Sequence, residues 1–141
     1  MEINIGIRMD LYRENILDHY KHPRNFGNLQ GADVKSEEIN VSCGDRIVIE
    51  VALKVTGKPQ SNRGKKVTVI DAIRFSGEGC AINQASASML TEKAIGMSVE
   101  RVMKLDLAYV EKLLGTTLTP SRVKCAMLPL EAIQKAVSSS I

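Results

Sequence analysis

The sequence predicts an α+β fold, a small antiparallel sheet of about three strands with helices packed on one face. Three observations lead there. Ile47, Ile49, Val51, Leu53 and Val55 alternate with Val48, Glu50, Ala52, Lys54 and Thr56, the period-two pattern of a half-buried strand. A turn-rich stretch, Gly57 to Lys66 (GKPQSNRGKK), separates this run from a second one of the same parity. The strands are grouped together, and the segments with helical spacing mostly follow them.

In chain order, the first element is a helix over Leu11 to Tyr20, where Tyr12, Ile16 and Tyr20 recur every four residues after a capping Asp10. A weaker β-like segment, Ala32 to Val41, completes the sheet. The second strand of the hairpin carries Val67, Val69, Ile73 and Phe75 on one face. Asp71 breaks that face, so the pattern predicts either a bulge near Ile70-Asp71 or a strand that starts after it. A helix over Ala81 to Ile95 is stopped by Gly96. Two short helices follow, Val99 to Leu105 after Ser98 and Leu107 to Leu114 before Gly115. The last helix is predicted from about Cys125 to Ser138, because Pro129 cannot donate to the carbonyl four residues back and is tolerated only if Cys125 lies in the first turn.

A chain of 141 residues suits one domain, and 44% hydrophobic with 25% charged residues is the composition of a globular one. The net charge of +3 is spread along the chain and aromatic residues are only 4%, with no Trp, so nucleic-acid binding is not expected. No run of 18 apolar residues and no signal-like start is present, which places the expected protein in the cytoplasm and off the membrane. Three cysteines cannot all pair, so metal binding or thiol chemistry is the first question.

Each cysteine has a context that suits a ligand. Cys43 lies in Ser42-Cys43-Gly44-Asp45, a turn in which Gly44 permits a tight path and Asp45 can bring its carboxylate to the same point as the thiol. Cys80 falls at the predicted start of the Ala81 helix, where free backbone N–H groups favour a thiolate. Cys125, with Lys124 beside it, is expected at the start of the last helix, a position that favours its thiolate. Three thiolates and a carboxylate suffice for tetrahedral zinc or for a two-iron, two-sulfide cluster. A single oxygen ligand predicts ready release of the cargo, with Asp45 as the point where a competing thiol attacks.

The blander readings are these. A lone cysteine is more often a small buried apolar residue, and these three are too far apart for a local metal motif. His19 and His22 read as solvated residues at a helix end, and Lys21, Arg24, Lys65 and Lys66 as ordinary surface charges. Ala85, Ser86, Ala87 and Ser88 read as small residues for close helix packing, Met89 and Met127 as core filler.

Through LYRENILDHYKHPRNFG, SCGDRI, GEGCAINQASASMLTE and KCAMLPLEAI the chain resembles the IscU, SufU and N-terminal NifU family of iron-sulfur scaffolds. Met9-Asp10-Leu11-Tyr12 resembles the usual family start, so residues 1–8 are expected to be a flexible extension and 9–141 the scaffold domain. The resemblance implies a site of Cys43, Asp45, Cys80 and Cys125 on which a labile cluster is assembled from iron and desulfurase-derived sulfur. It also implies a pyridoxal-phosphate cysteine desulfurase as sulfur donor, apo acceptor proteins as recipients, and a carrier, not an enzyme. Lys124 stands where the Isc-type branch has histidine, and Thr119 to Val123 replaces its LPPVK-like segment. SufU-like members share the lysine, which implies the alternative of a zinc-bound sulfurtransferase taking persulfide sulfur from the desulfurase on Cys43, Cys80 or Cys125, with Cys125 expected as the acceptor because its position favours the thiolate. The long insertion of Gram-positive SufU proteins between Cys80 and Cys125 is absent, and the hairpin before Cys80 is longer than usual.

Overall fold

The computed structural model describes residues 13–56 and 66–140. Helix α1, whose described part covers 13–21, is followed by strands β1 (Val34–Asn40), β2 (Asp45–Thr56) and β3 (Val67–Glu78). Helices α2 (Ala81–Ala94), α3 (Val99–Met103), α4 (Leu107–Leu114) and α5 (Pro120–Ser138) complete the chain. The strands form one antiparallel meander in the order β1-β2-β3, as the grouping of strands predicts. The expected hairpin tip at 57–65, the start of α1 and the N-terminal extension lie outside the described residues.

The irregularity at Asp71 is a bulge. Ala52 pairs with Ala72 but Leu53 with Ile70, so Asp71 has no partner opposite it. The extra residue lets Ile70 and Ile73 both face the core, while Asp71 stays outside and meets Lys54 Nζ at 3.4 Å. The outer edge of β3 is covered twice. Phe75 exchanges backbone hydrogen bonds with Asn25 and Gly27, and Ile70 does so with Gly96 and Met97. Both contacts occupy ladder groups that would otherwise offer a template for another strand.

Ile47, Ile49, Val51, Ile70, Ile73 and Phe75 form the buried face of the sheet, against which α2 and α5 lay Leu90, Ala126, Leu130 and Ile133. Helix α2 is buried on nearly every side, and its small residues Ala85, Ser86, Ala87 and Ser88 permit that approach. Met89 is in the core and Met127 packs on its edge. The short helices are bounded by local chemistry: the Ser98 and Asp106 side chains accept from Arg101 and Tyr109 amides, and Gly115 ends α4 in the left-handed conformation.

Two expectations need correction. Helix α5 begins at Pro120, not near Cys125, so Cys125 lies in its second turn and Pro129 in its interior. A proline at N1 starts the helix without loss, and the carbonyl that Pro129 leaves without an amide, that of Cys125, accepts from Asn83 Nδ2 at 3.1 Å. The second is His19, which is buried, not solvated. Its Nδ1 lies 2.7 Å from Ser88 Oγ, which also accepts the Arg24 amide, so a histidine of α1 is joined to the middle of α2.

Burial, with Arg24 nearby, holds the His19 imidazole below its usual pKa. The folded state therefore binds fewer protons than the unfolded one as pH falls below about 6.5, and stability is lost on acidification. Between pH 7.5 and 5.5 the wild type is expected to lose more unfolding free energy than His19→Gln, by up to about 1 kcal/mol. Urea unfolding of both proteins at the two pH values measures the difference; equal losses would show that His19 contributes none of the acid sensitivity.

Candidate metal centre

The β1–β2 turn, the N-terminus of α2 and the second turn of α5 meet at one end of the sheet. In the turn, Asn40 serves as organiser: its carbonyl accepts the amides of Cys43 and Gly44, its Oδ1 accepts that of Ser42, and its Nδ2 lies 3.3 Å from Cys43 Sγ. Gly44 completes the reversal at φ 75°, a conformation that L residues rarely adopt. Asp45, opposite Asn40 in the register, is then the first residue of β2 and is only 1% exposed. Cys80 is the N-cap residue of α2, as its sequence context predicts. Its amide donates to Asp45 Oδ1 at 3.1 Å, so the carboxylate is fastened to the start of the helix that carries the second cysteine.

One potential ligand atom from each of Cys43, Asp45 and Cys125 lies within 4.8 Å of the others. The Cys125 and Cys43 sulfurs are 3.4 Å apart. Cys80 stands outside this trio, tied to it through its amide and close enough to bear on the Cys125 thiol. Three of the four expected ligands thus converge and the fourth adjoins them.

The donor set fits a thiophilic metal with one hard ligand. The sharper sign is Asp45 Oδ2, which is buried and has no hydrogen-bond partner among the described residues. Buried carboxylate oxygens are ordinarily paired, because leaving one unpaired forfeits its hydration without return. A cation held by Asp45 with the thiols of Cys43 and Cys125 would supply such a partner.

Accessibility reverses one expectation. Cys43 is exposed, Cys80 half-buried and Cys125 buried, while Asp45 is enclosed. The open side of the centre is therefore Cys43, and an incoming thiol meets it before the carboxylate. Burial pushes the Cys125 thiol above the ordinary cysteine range, and the neighbouring Cys43, Asp45 and Cys80 act in the same direction. Since α5 starts five residues before Cys125, the helix-terminus ground for a low pKa there is removed. Lys124 lines a neighbouring hollow of about 270 Å³ with Ile39, Asn40, Val41, Leu128 and Glu131. Val41, at its rim, is 90% exposed.

Sequence reasoning missed Asn40 and Asn83. The signal for Asn83 was available as a pair: an unexplained polar residue in the first turn of α2 and a proline four residues after Cys125.

The comparisons agree with this architecture. Residues 11–140 match the NifU-like N terminal domain family. The chain is 34% identical to the zinc-dependent sulfurtransferase SufU of Bacillus subtilis, over 91% of this chain and 90% of that protein. It is 32% identical to an iron-sulfur cluster assembly scaffold protein named IscU from Archaeoglobus fulgidus, over 90% of this chain and 74% of that one. Among solved structures, a proposed iron-sulfur cluster assembly scaffold for the SUF system from Fervidobacterium islandicum superposes with a TM-score of 0.65 at 26% identity, covering 88% of this chain and 94% of that chain. Sheet, helix order, converging thiols and a match over nearly the whole length agree, and the chain belongs to the NifU-like N-terminal domain family.

Proposed function

We propose that the protein is a scaffold that receives iron and sulfur at Cys43, Asp45, Cys80 and Cys125, assembles a labile iron-sulfur cluster there and passes it to acceptor proteins. The observation that carries this reading is the enclosed Asp45 carboxylate, with one oxygen, Oδ2, unpartnered among the described residues and with a ligand oxygen within 4.8 Å of the thiols of Cys43 and Cys125. Cys43 and Asp45 are held by the β1–β2 turn, Cys80 by the start of α2 and Cys125 by α5, so the ligands come from three elements whose packing sets their separation. The cluster is cargo, and the chain's own work is to hold it, exclude water on the Asp45 side and leave the Cys43 side open. A cysteine desulfurase as sulfur donor and apo proteins as recipients follow from this role. The apolar rim at Val41 beside Cys43 is a suitable surface on which either could dock.

The second reading, a zinc-bound sulfurtransferase, is favoured by Lys124 before the third cysteine and by the likeness to SufU of Bacillus subtilis. In either reading sulfur arrives at the accessible Cys43, and Cys125, with its sulfur 3.4 Å away, is the thiol to which it can move on. Anaerobic reconstitution with iron, cysteine and a desulfurase, followed by visible absorption and metal analysis, separates the readings. A coloured, chelator-labile product is expected from the scaffold. A colourless protein with one tightly held zinc would favour the sulfurtransferase, and failure to bind either metal would overturn both. Mass spectrometry of the metal-free protein after brief exposure to desulfurase and cysteine is expected to find persulfide on Cys43 and Cys125.

The metal-free Cys125 thiol keeps its proton well above neutral pH, and a metal displaces it. Apparent zinc affinity should therefore rise with pH, by at least about tenfold per unit between pH 6 and 8. Competition titrations against a chelator of known pH dependence measure this slope; a flat profile would mean that Cys125 does not bind as the thiolate.

A further inference from the structure

Proline inside a helix leaves the carbonyl four residues earlier without its amide, and the ring pushes that carbonyl aside. In α5 the proline is Pro129 and the carbonyl belongs to Cys125. The donor that takes the place of the missing amide comes from another helix: Asn83 Nδ2, at 3.1 Å, on a side chain with no solvent exposure. The other end of that side chain is also engaged, since Asn83 Oδ1 accepts from Gln84 Nε2 at 3.2 Å. One turn further along α2, Ser86 Oγ donates to the carbonyl of Ala126 at 2.7 Å. Two consecutive carbonyls of α5, beginning at the cysteine, are thus gripped by one face of α2. Space for the grip is kept by Gly79, where a Cβ would overlap Asn83 Oδ1.

We propose that Asn83 is a positioning residue for the metal centre, fixing Cys125 against the start of α2, which carries Cys80, through the carbonyl that Pro129 leaves free. Any other residue at 129 would let the Cys125 carbonyl bond within its own helix, and α5 could shift along α2 without losing that bond. With proline there, the position of Cys125 is defined by a side chain three residues from Cys80. The proposal rests on the reading of Cys125 as a metal ligand, and it assigns Asn83 and Pro129 a joint role that neither has alone.

The test is a double-mutant cycle on the full chain with Asn83→Ala, Pro129→Ala and the pair, read by anaerobic titration with cobalt(II) and by the thiolate-to-cobalt absorption band. Asn83→Ala is expected to weaken cobalt binding about tenfold or more and to change the band, as losses of supporting hydrogen bonds around metal sites do. Adding Pro129→Ala should recover most of the affinity and the wild-type band, because residue 129 then offers its own amide to the Cys125 carbonyl. A merely structural asparagine would give no such rescue of the spectrum. Wild-type binding by Asn83→Ala, or a double variant no better than the single one, would overturn the proposal. Should Asn83→Ala not fold, Asn83→Asp, which keeps the shape and lacks the donor, takes its place in the cycle. If the wild type binds no cobalt, the metal reading has failed, and the positioning role is decided on the metal-free protein. There, alkylation of Cys125 by iodoacetamide, followed by mass spectrometry, should be faster in Asn83→Ala and slow again in the double variant; equal rates in all three would refute it.

Discussion

Replacing Gly77 with alanine is expected to destabilise the fold by about 3 kcal/mol or more. Two costs combine at this position. Its φ is 120°, a backbone conformation that L residues rarely adopt. An added Cβ would also overlap the carbonyl oxygen of Arg46, on the neighbouring strand, which as backbone cannot swing away. Gly77 pairs with Ile47, and this tight passage brings Cys80 back over the start of β2, where its amide reaches Asp45. Gly44 supplies the control, since it too has a positive φ but its Cβ would meet nothing within 4 Å. Gly44→Ala should cost only about 1–2 kcal/mol, the conformational term alone. Urea unfolding of both variants tests the difference; equal destabilisation would mean that the contact with Arg46 relaxes freely.

Replacing Asp45 with asparagine should move the metal-free and metal-loaded proteins in opposite directions. In the metal-free protein Oδ2 is buried without a partner, while Oδ1 accepts the Cys80 amide. Asparagine keeps the accepting oxygen and replaces the orphan with an NH2 group that can donate to a neighbouring thiol. Removing an unsatisfied buried acceptor is worth about 1–3 kcal/mol, so the metal-free variant is expected to unfold at higher urea than the wild type. With zinc present the order should reverse, because the amide is a poor ligand and the wild type gains the larger binding free energy. Paired unfolding curves with and without zinc measure both arms. A metal-free Asp45→Asn less stable than the wild type would show that the carboxylate is satisfied without metal, removing the main support for the centre. Unchanged zinc affinity would remove Asp45 from the ligand set.

The sheet and most helix ends were legible because they depend on neighbours in sequence. Alternation from Ile47 to Val55 follows from the pleat, which sends successive side chains to opposite faces. The charge at Asp71 marked an irregularity in β3 without deciding between a bulge and a later strand start, and the bulge turns Val67 and Val69 to the face opposite Ile73 and Phe75; α4 was legible as Asp106 before it and Gly115 after it. The turn at Cys43 and the helix start at Cys80 were legible for the same reason, since glycine freedom and helix ends are local chemistry. The resemblance to a family then joined the three cysteines into one site.

What only the tertiary structure decided is where local rules meet a partner from far along the chain. Pro129 was read as the mark of a helix start because proline deprives a carbonyl of its amide, and within the sequence nearby nothing replaces it. The replacement is Asn83, brought to Cys125 by packing of α2 on α5, which lets α5 begin at Pro120 and places Cys125 in its buried second turn. His19 was read as solvated because its neighbours in sequence are polar, yet folding sets it against Ser88. Ligand chemistry alone makes Asp45 the point of attack for a competing thiol, whereas the order of exposure, Cys43 out and Asp45 in, is set by β2 running into the core. By itself the sequence determined the kinds of candidate ligand and most of the elements that carry them. Their separation, their burial and which of them is left exposed are properties of packing between residues distant in sequence, which no local pattern encodes.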